Sequence, residues 1–483
     1  MECSCCYNNQ DVTRHRILLT LLLFCRGPFA YAADWPQFRG PDGLGVSSDK
    51  GLPVEVGQEK NVIWKTALPR GHSSPILVGP RIFLTAYQGD TLLTISLDRA
   101  TGKILWKREA PRPRVETMQP TNGPASPTPV SDGRNVYVFF GDFGIICYGV
   151  DGDERWKAPL GPFNNANGHG SSPVLMDGML ILICDQDTDS YLLALDKETG
   201  KVRWRVERPE VTRGYATPGV YRPKNGPAEL IVPGAYELIA YNLATGEKLW
   251  WVRGMAWQLK SVPLIDGDIA YVNGWEIGGD TDTPPEVPTF EEILKKYDTN
   301  KDGKITPDEA PAQLKHWFVE QDFNRDGAMD AREWNFYRAM KTTQNSILAV
   351  RCGGRGDVTD TRVLWRFRKS IPNVPSPLLY KNVLYLVKDG GVATTLNPKT
   401  GEMIKQARLK GALDHYWASP VAGDGKVYML SQACKLTVLK AGGEWETLAV
   451  NDLDDVCFST PAIADSRLYL RTESELYCFG KRE

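Results

Sequence analysis

The sequence of 483 residues predicts an all-β fold: an eight-bladed β-propeller closed by an N-terminal strand, with a small α-helical insertion in blade 5. Three observations predict it. A small or hydroxyl residue, then Pro, then an apolar run recurs eight times. A tight turn leading into a strand with Trp follows most copies. One interval between copies is far longer than the others and holds apolar residues at helical spacing.

The first element reads SSPILV at Ser73, ASPTPV at Ala125, SSPVLM at Ser171 and ATPGVY at Ala216. It continues as SVPLID at Ser261, PSPLLY at Pro375, ASPVAG at Ala418 and STPAIA at Ser459. Most copies lie 41 to 52 residues apart, but 114 separate Ser261 from Pro375. The second element is LDRATGKILW, LDKETGKVRW or YNLATGEKLW, ending at Trp106, Trp204 and Trp250, with VDGDERW ending at Trp156. An Asx residue opens the turn, Gly takes the positive φ, and the Trp can pack into the neighbouring repeat. LNPKTGEMIK keeps the turn but puts Lys405 at the Trp position, so that junction is expected to be weaker or packed differently. Strand signals such as RIFLTAY and TLLTISL complete four short strands per repeat, the pattern of a propeller blade. The eighth copy runs out of strands near Phe479. NVIWKTAL (Asn61 to Leu68, with Trp64) can supply the missing outer strand, closing the ring and removing free sheet edges.

The Asx-x-x-Thr-Gly-x-x-x-Trp element resembles the repeat of pyrroloquinoline-quinone (PQQ)-like propellers, a group that includes quinoprotein alcohol dehydrogenases and the outer-membrane assembly factor BamB. DWPQFRGPDGLG (Asp34 to Gly45) resembles the mature start of exported PQQ-like proteins. The resemblance covers about residues 34–276 and 345–480. It implies the fold strongly and the function weakly, because propellers host unrelated activities. A non-enzymatic binding or scaffold protein, similar to the assembly factor, is one expectation. A PQQ-dependent dehydrogenase is the alternative. The known PQQ enzymes place adjacent cysteines beneath the cofactor and some carry haem. Here the adjacent pair is Cys5-Cys6, in the leader, and there is no CxxCH, so PQQ is not the expected cofactor. Glycan or peptide recognition at the propeller funnel is a third expectation. The assembly factor is a lipoprotein, whereas Phe24 before Cys25 is too bulky for the usual lipid-attachment signal.

The long interval holds two EF-hand loops, DTNKDGKITPDE and DFNRDGAMDARE. Such a loop needs oxygen ligands at positions 1, 3, 5, 7, 9 and 12 and Gly at position 6. The first loop offers Asp298, Asn300, Asp302, the Lys304 carbonyl, Thr306 and Glu309, with Gly303 at the turn. The second offers Asp322, Asn324, Asp326, the Ala328 carbonyl, Asp330 and Glu333, with Gly327. Two calcium ions are therefore expected. The second site should be the tighter, since it has four carboxylates against three. Phe290, Ile293, Leu294 and Tyr297 lead into the first loop, and Leu314, Trp317 and Phe318 into the second. Pro311 interrupts the short connection, so one short helix shared between the loops is expected, and a structural clip rather than a sensor. The predicted organisation is a signal peptide at 1–32, an extension at 33–60, blades 1 to 5 at 61–276, the insertion at 277–344 and blades 5 to 8 at 345–483.

An insertion between the second and third strands of a blade emerges on the same face as the loops that join the blades. Those loops carry His72, Asn122, His169, Arg213, Lys260, His415 and Asp455, which are the candidate ligand-binding residues of a funnel at the central channel.

Composition bounds the partners. With 57 basic and 59 acidic residues the chain has no strongly basic segment, so no nucleic acid is expected. Arg14 and Arg16 precede ILLTLLLF, and Ala30-Tyr31-Ala32 follows, which reads as an export signal too short to span a bilayer. The expected setting is periplasmic or secreted, with an unknown protein or a cell-envelope ligand as partner. Beyond the leader stand Cys147, Cys184, Cys352, Cys434, Cys457 and Cys478. Their spacing does not choose a pairing, and most read as buried thiols.

Overall fold

The computed structural model describes residues 34–481; the expected export signal lies outside them. Eight sheets follow one another along the chain, antiparallel but for one added strand. They occupy 76–110, 130–159, 174–207, 219–253, then 264–274 with 346–367, then 378–408, 421–452 and 462–479. Seven have four strands. The fourth gains a fifth strand, Gly356–Asp357, parallel to Lys248–Arg253. The outermost strand of the eighth sheet is Val62–Ala67, antiparallel to Glu475–Phe479 with Trp64 opposite Cys478. Middle strands such as Met179–Cys184 are buried along their whole length, because neighbouring blades cover both faces. Outer strands such as Val202–Glu207 alternate toward solvent.

The repeated Ser/Thr-Pro element builds a belt around the axis. The backbone N–H of Ser74 donates to the Thr128 hydroxyl, Thr128 to Ser172 and Ser172 to Thr217. Val262 donates to Ser376, Ser376 to Ser419, Ser419 to Thr460 and Thr460 back to Ser74, within 3.0–3.2 Å throughout. Seven of the eight blades thus supply a buried acceptor to a neighbour. The belt breaks once, after Thr217, because Val262 has no hydroxyl.

The turn-and-Trp element forms the outer seams. The indoles of Trp64, Trp106, Trp156 and Trp204 donate to the carbonyls of Arg99, Val150, Lys197 and Leu243 in the next blade. Each ring lies on that blade's turn Gly. A Cβ at Gly200 would stand 2.5 Å from the Trp156 ring. Lys405 substitutes its ammonium for an indole: Nζ donates to the Trp445 carbonyl at 2.7 Å and sits 4.4 Å above the Trp445 ring. Trp250 departs from the pattern and donates to Glu229 of its own blade. The turn it would meet is replaced by the segment carrying Gly356–Asp357.

Residues 34–47 cross the far side of the disc. Trp35 bridges Leu77 in blade 1, Ser131 of blade 2 donates to the Pro36 carbonyl, and Val46 bridges Ala422 in blade 7. Between these anchors Arg39, fully buried, donates to the Pro377 carbonyl of blade 6 at 2.7 Å. In a ring of eight, blade 2 stands opposite blade 6, and Phe38 reaches the channel from this segment, so the segment floors the central channel.

Between Ile269–Gly274 and Ser346–Arg351, the second and third strands of the fifth sheet, lie helices α1 (Phe290–Tyr297), α2 (Ala312–Lys315), α3 (Phe318–Gln321) and α4 (Ala331–Thr342). Thr289 and Asp330 begin α1 and α4 with full capping boxes. The connection between the loops is two single turns rather than the one short helix expected. Pro311 precedes α2, His316 and Trp317 keep right-handed helical backbone angles between the two turns, and Leu314 and Phe318, four residues apart, both reach the insertion's core. That core includes Ala235, Tyr236 and Trp257 of the propeller, so the insertion is docked on blade 4.

Candidate functional site

The funnel follows from this architecture. Loops entering the innermost strands converge above the hydroxyl belt and enclose a cavity of about 650 Å³. Phe38 of the N-terminal segment lines it from the closed side. Trp417 and Phe458 come from blades 7 and 8, with ring centres 6.1 Å apart, and His72 of blade 1 stacks on Phe458 at 4.1 Å. Tyr215 and Trp275 line the cavity from blades 4 and 5, across the ring. Amide side chains fill the gaps: Gln119, Asn122, Asn167, Gln258 and Asn373. Lys260 is the one Lys, Arg, Asp or Glu residue among the described lining.

Hydrogen bonds hold this lining in place. Lys260 Nζ donates to Asn373 Oδ1 at 3.0 Å, Asn167 donates to the Tyr215 hydroxyl at 2.7 Å, and Trp417 donates to Gln432 at 2.9 Å. Gln258 has a left-handed backbone, φ 51°, a strained conformation of the kind that gathers at binding sites. Burial lowers the Lys260 pKa to about 8 and raises that of nearby Glu276 to about 7.

The residues singled out by sequence divide into groups. His72, Asn122 and Lys260 line the cavity. His169 is buried behind it, edge-on to Phe163 at 4.1 Å, and burial brings its pKa to about 3, with the Arg114 charge contributing. His415 is exposed beside Asp389, and Asp455 accepts from Ser474 at 2.7 Å. Arg213 serves a different end. It pairs in a bidentate manner with Asp187, donates to the Glu320 carbonyl and lies over Trp257 and Phe323. It thereby clamps the insertion to blades 3 and 4. The aromatic lining went unread at the sequence level, although Tyr215, Trp417 and Phe458 stand within three residues of the recurrent Pro.

A second cavity, about 540 Å³, lies where the insertion meets the propeller. It shares Gln258, Lys260, Trp275 and Ile277 with the funnel and adds Trp257, Trp317 and Glu320. The insertion is thus one wall of the approach to the funnel.

In the two acidic loops, the carboxylates of Asp298 and Asp322 accept the N–H groups of Gly303 and Gly327 at 3.1 and 3.0 Å. Ile305 and Met329 exchange backbone bonds of 3.1 and 2.8 Å. The Glu309 carboxylate accepts from the N–H of Thr306 and Thr299, which holds its pKa down to about 2, while burial raises that of Glu333. Lys304 reaches across to Asp326 at 2.6 Å. Among the described residues no three His, Cys, Asp or Glu side chains are drawn together around a metal. The donor set is nonetheless the all-oxygen kind a hard divalent cation takes. The second loop is tied to the propeller, since Asn164 donates to the Phe323 carbonyl at 2.7 Å and Arg332 to that of Asp187 at 3.0 Å.

Cys434 and Cys457 form a disulfide, and Cys147, Cys184, Cys352 and Cys478 are buried thiols. No described helix is long and apolar enough to cross a membrane.

Comparison with known proteins agrees with the fold. Residues 89–250 match the family described as outer membrane protein assembly factor BamB. No curated protein matches the chain. Similar solved structures include BamB from Moraxella catarrhalis, with TM-score 0.52, 11% identity, and 87% of this chain and 99% of that one covered. A europium-containing methanol dehydrogenase has TM-score 0.58 at 10% identity, covering 93% and 98%. The quinohemoprotein alcohol dehydrogenase from Comamonas testosteroni has TM-score 0.56 at 11% identity, covering 93% and 81%.

Proposed function

We propose that this chain is an exported PQQ-like propeller that binds a partner or ligand at its funnel without transforming it, with calcium clamping an EF-hand pair at the rim. The observation that carries this reading is the funnel: a preorganised cavity of about 650 Å³, floored on one side and walled by the insertion on the other. Ring closure by Val62–Ala67 belongs to the same reading and is supported by its register on Glu475–Phe479. Export is supported by the Cys434–Cys457 disulfide. Calcium would be held by Asp298, Asn300, Asp302 and Glu309 in one loop and by Asp322, Asn324, Asp326, Asp330 and Glu333 in the other. It would supply a fixed positive charge that gathers each loop.

The alternative, a PQQ-dependent dehydrogenase, fits the residues poorly. The quinone carries several carboxylates, and Lys260 is the sole Lys or Arg among the described funnel lining. Titrating the calcium-loaded mature protein with PQQ, and assaying alcohol oxidation with a dye acceptor, separates the two. Binding without turnover is expected for any ligand of the funnel. A stoichiometric quinone chromophore with alcohol oxidation would overturn the reading.

A further inference from the structure

The lining of the funnel and the cleft beside it narrows the ligand class, resting on the reading of the funnel as a binding site. Ile277 and Val374 are the only aliphatic side chains longer than alanine among the described funnel lining. The rest is aromatic faces, primary amides and hydroxyls. A lipid or an apolar peptide side chain would desolvate those amides without replacing their hydrogen bonds. A polyanion would find one ammonium in the funnel, and in the cleft Arg213 and Arg325 stand among four carboxylates, Asp187, Glu276, Glu320 and Asp322. A ring with an apolar CH face and a rim of hydroxyls matches both components: it stacks on an aromatic face, while Asn and Gln, each donor and acceptor, meet its hydroxyl pairs.

Two aromatic walls face one another. Trp417 and Phe458 belong to blades 7 and 8, Tyr215 and Trp275 to blades 4 and 5. The indole N–H groups of Trp257 and Trp275 are buried with no protein acceptor, and Trp257 is only 3% exposed. Both residues line the cleft, while their indole nitrogens are themselves shielded from solvent, so it is ring surface that the cleft offers. The cleft joins the funnel through Gln258, Lys260 and Trp275 and continues past Trp317 of the insertion. Phe38 and the segment behind it close the far side.

We propose that this connected site takes the end of an uncharged oligosaccharide chain. The terminal sugar sits in the floored funnel between the two aromatic walls, and the following sugars run out along the cleft. Because the floor blocks passage, recognition is of chain ends and not of internal stretches.

The test uses the mature protein with calcium. It is titrated calorimetrically with neutral hexasaccharides of β-glucan, α-glucan, xylan, mannan and N-acetylglucosamine type, with PQQ, and with an apolar peptide as separate arms. Saturable binding of at least one saccharide is expected, and the affinity should stop rising once the chain fills funnel and cleft. A long polymer should bind in proportion to its chain ends, not its mass. Trp417→Ala should weaken the binding by roughly tenfold, and Asn373→Ala, which spares the aromatic packing, should weaken it severalfold. Binding of PQQ or peptide with none of the saccharides would overturn the ligand class while leaving the funnel as a binding site. Polymer binding in proportion to mass would overturn chain-end recognition. Silence in every arm would overturn both this proposal and the reading it rests on.

Discussion

At the scale of single residues, buried histidines make the ring sensitive to acid. The His169 pKa is lowered to about 3 and the His72 pKa to about 4, first by burial. Each is neutral in the folded ring and takes a proton near pH 6.5 once unfolded. Their stabilising contribution is complete above about pH 6.5 and is lost progressively as pH falls toward the folded values, at up to ~1.4 kcal/mol per pH unit for each histidine. His169→Phe places one more ring against Phe139 and Phe163. It should flatten this dependence between about pH 6 and 4 by one proton's worth, which urea unfolding at several pH values would read. The belt makes a second prediction. Ser172→Ala leaves the buried Thr128 N–H without its acceptor and should cost about 1–3 kcal/mol in the same assay. A smaller loss would mean that water replaces the hydroxyl.

At the scale of elements, the outer seams depend on a Gly that accepts both a positive φ and an indole above it. Gly200 has φ 69°. Gly200→Ala should therefore cost about 2–4 kcal/mol, through backbone strain and displacement of Trp156. Trp156→Phe tests the seam differently, since it keeps most of the packing and removes the bond to Lys197. In the insertion, four carboxylates in the second loop against three in the first predict tighter calcium binding there, so Glu333→Gln should lower total affinity more than Glu309→Gln. The Lys304–Asp326 contact opposes that advantage. Lys304→Met should tighten the second site by roughly two- to fivefold at low salt, with the gain shrinking as salt rises. Calcium titration by calorimetry checks both; equal losses from the two Glu variants would remove the ranking.

At the scale of the whole molecule, the chain's start is bound into the ring. Residues 34–47 span from blades 1 and 2 to blades 6 and 7, and Val62–Ala67 is the outer strand of the last sheet. A variant beginning at residue 68 would bare the edge of Glu475–Phe479, and unpaired edges recruit other chains. It should elute as soluble aggregate in size-exclusion chromatography with light scattering, where a chain that keeps Val62–Ala67 should elute as a single species. A monomeric, cooperatively unfolding truncation would show that the strand is an ornament of the ring.

Blade count and the position of each blade were legible in the sequence because they are written in local signals: a Pro that opens a strand, a Gly that permits a turn, and an apolar run. Such signals act over a few residues and recur with the repeat. The acidic loops are local in the same way, the oxygen donors of each lying within twelve residues of chain, which is what marks them as candidate calcium sites. Only the tertiary structure decided what the recurrent hydroxyl does, since its partner lies one blade away and 41 to 54 residues distant where no insertion intervenes, or 386 at the seam between the last blade and the first. It likewise decided that Arg213 fastens the insertion while Trp275, Trp417 and Phe458 face the cavity. Eight loops meet around one axis, and which side chain points inward depends on neighbours that no stretch of sequence brings together.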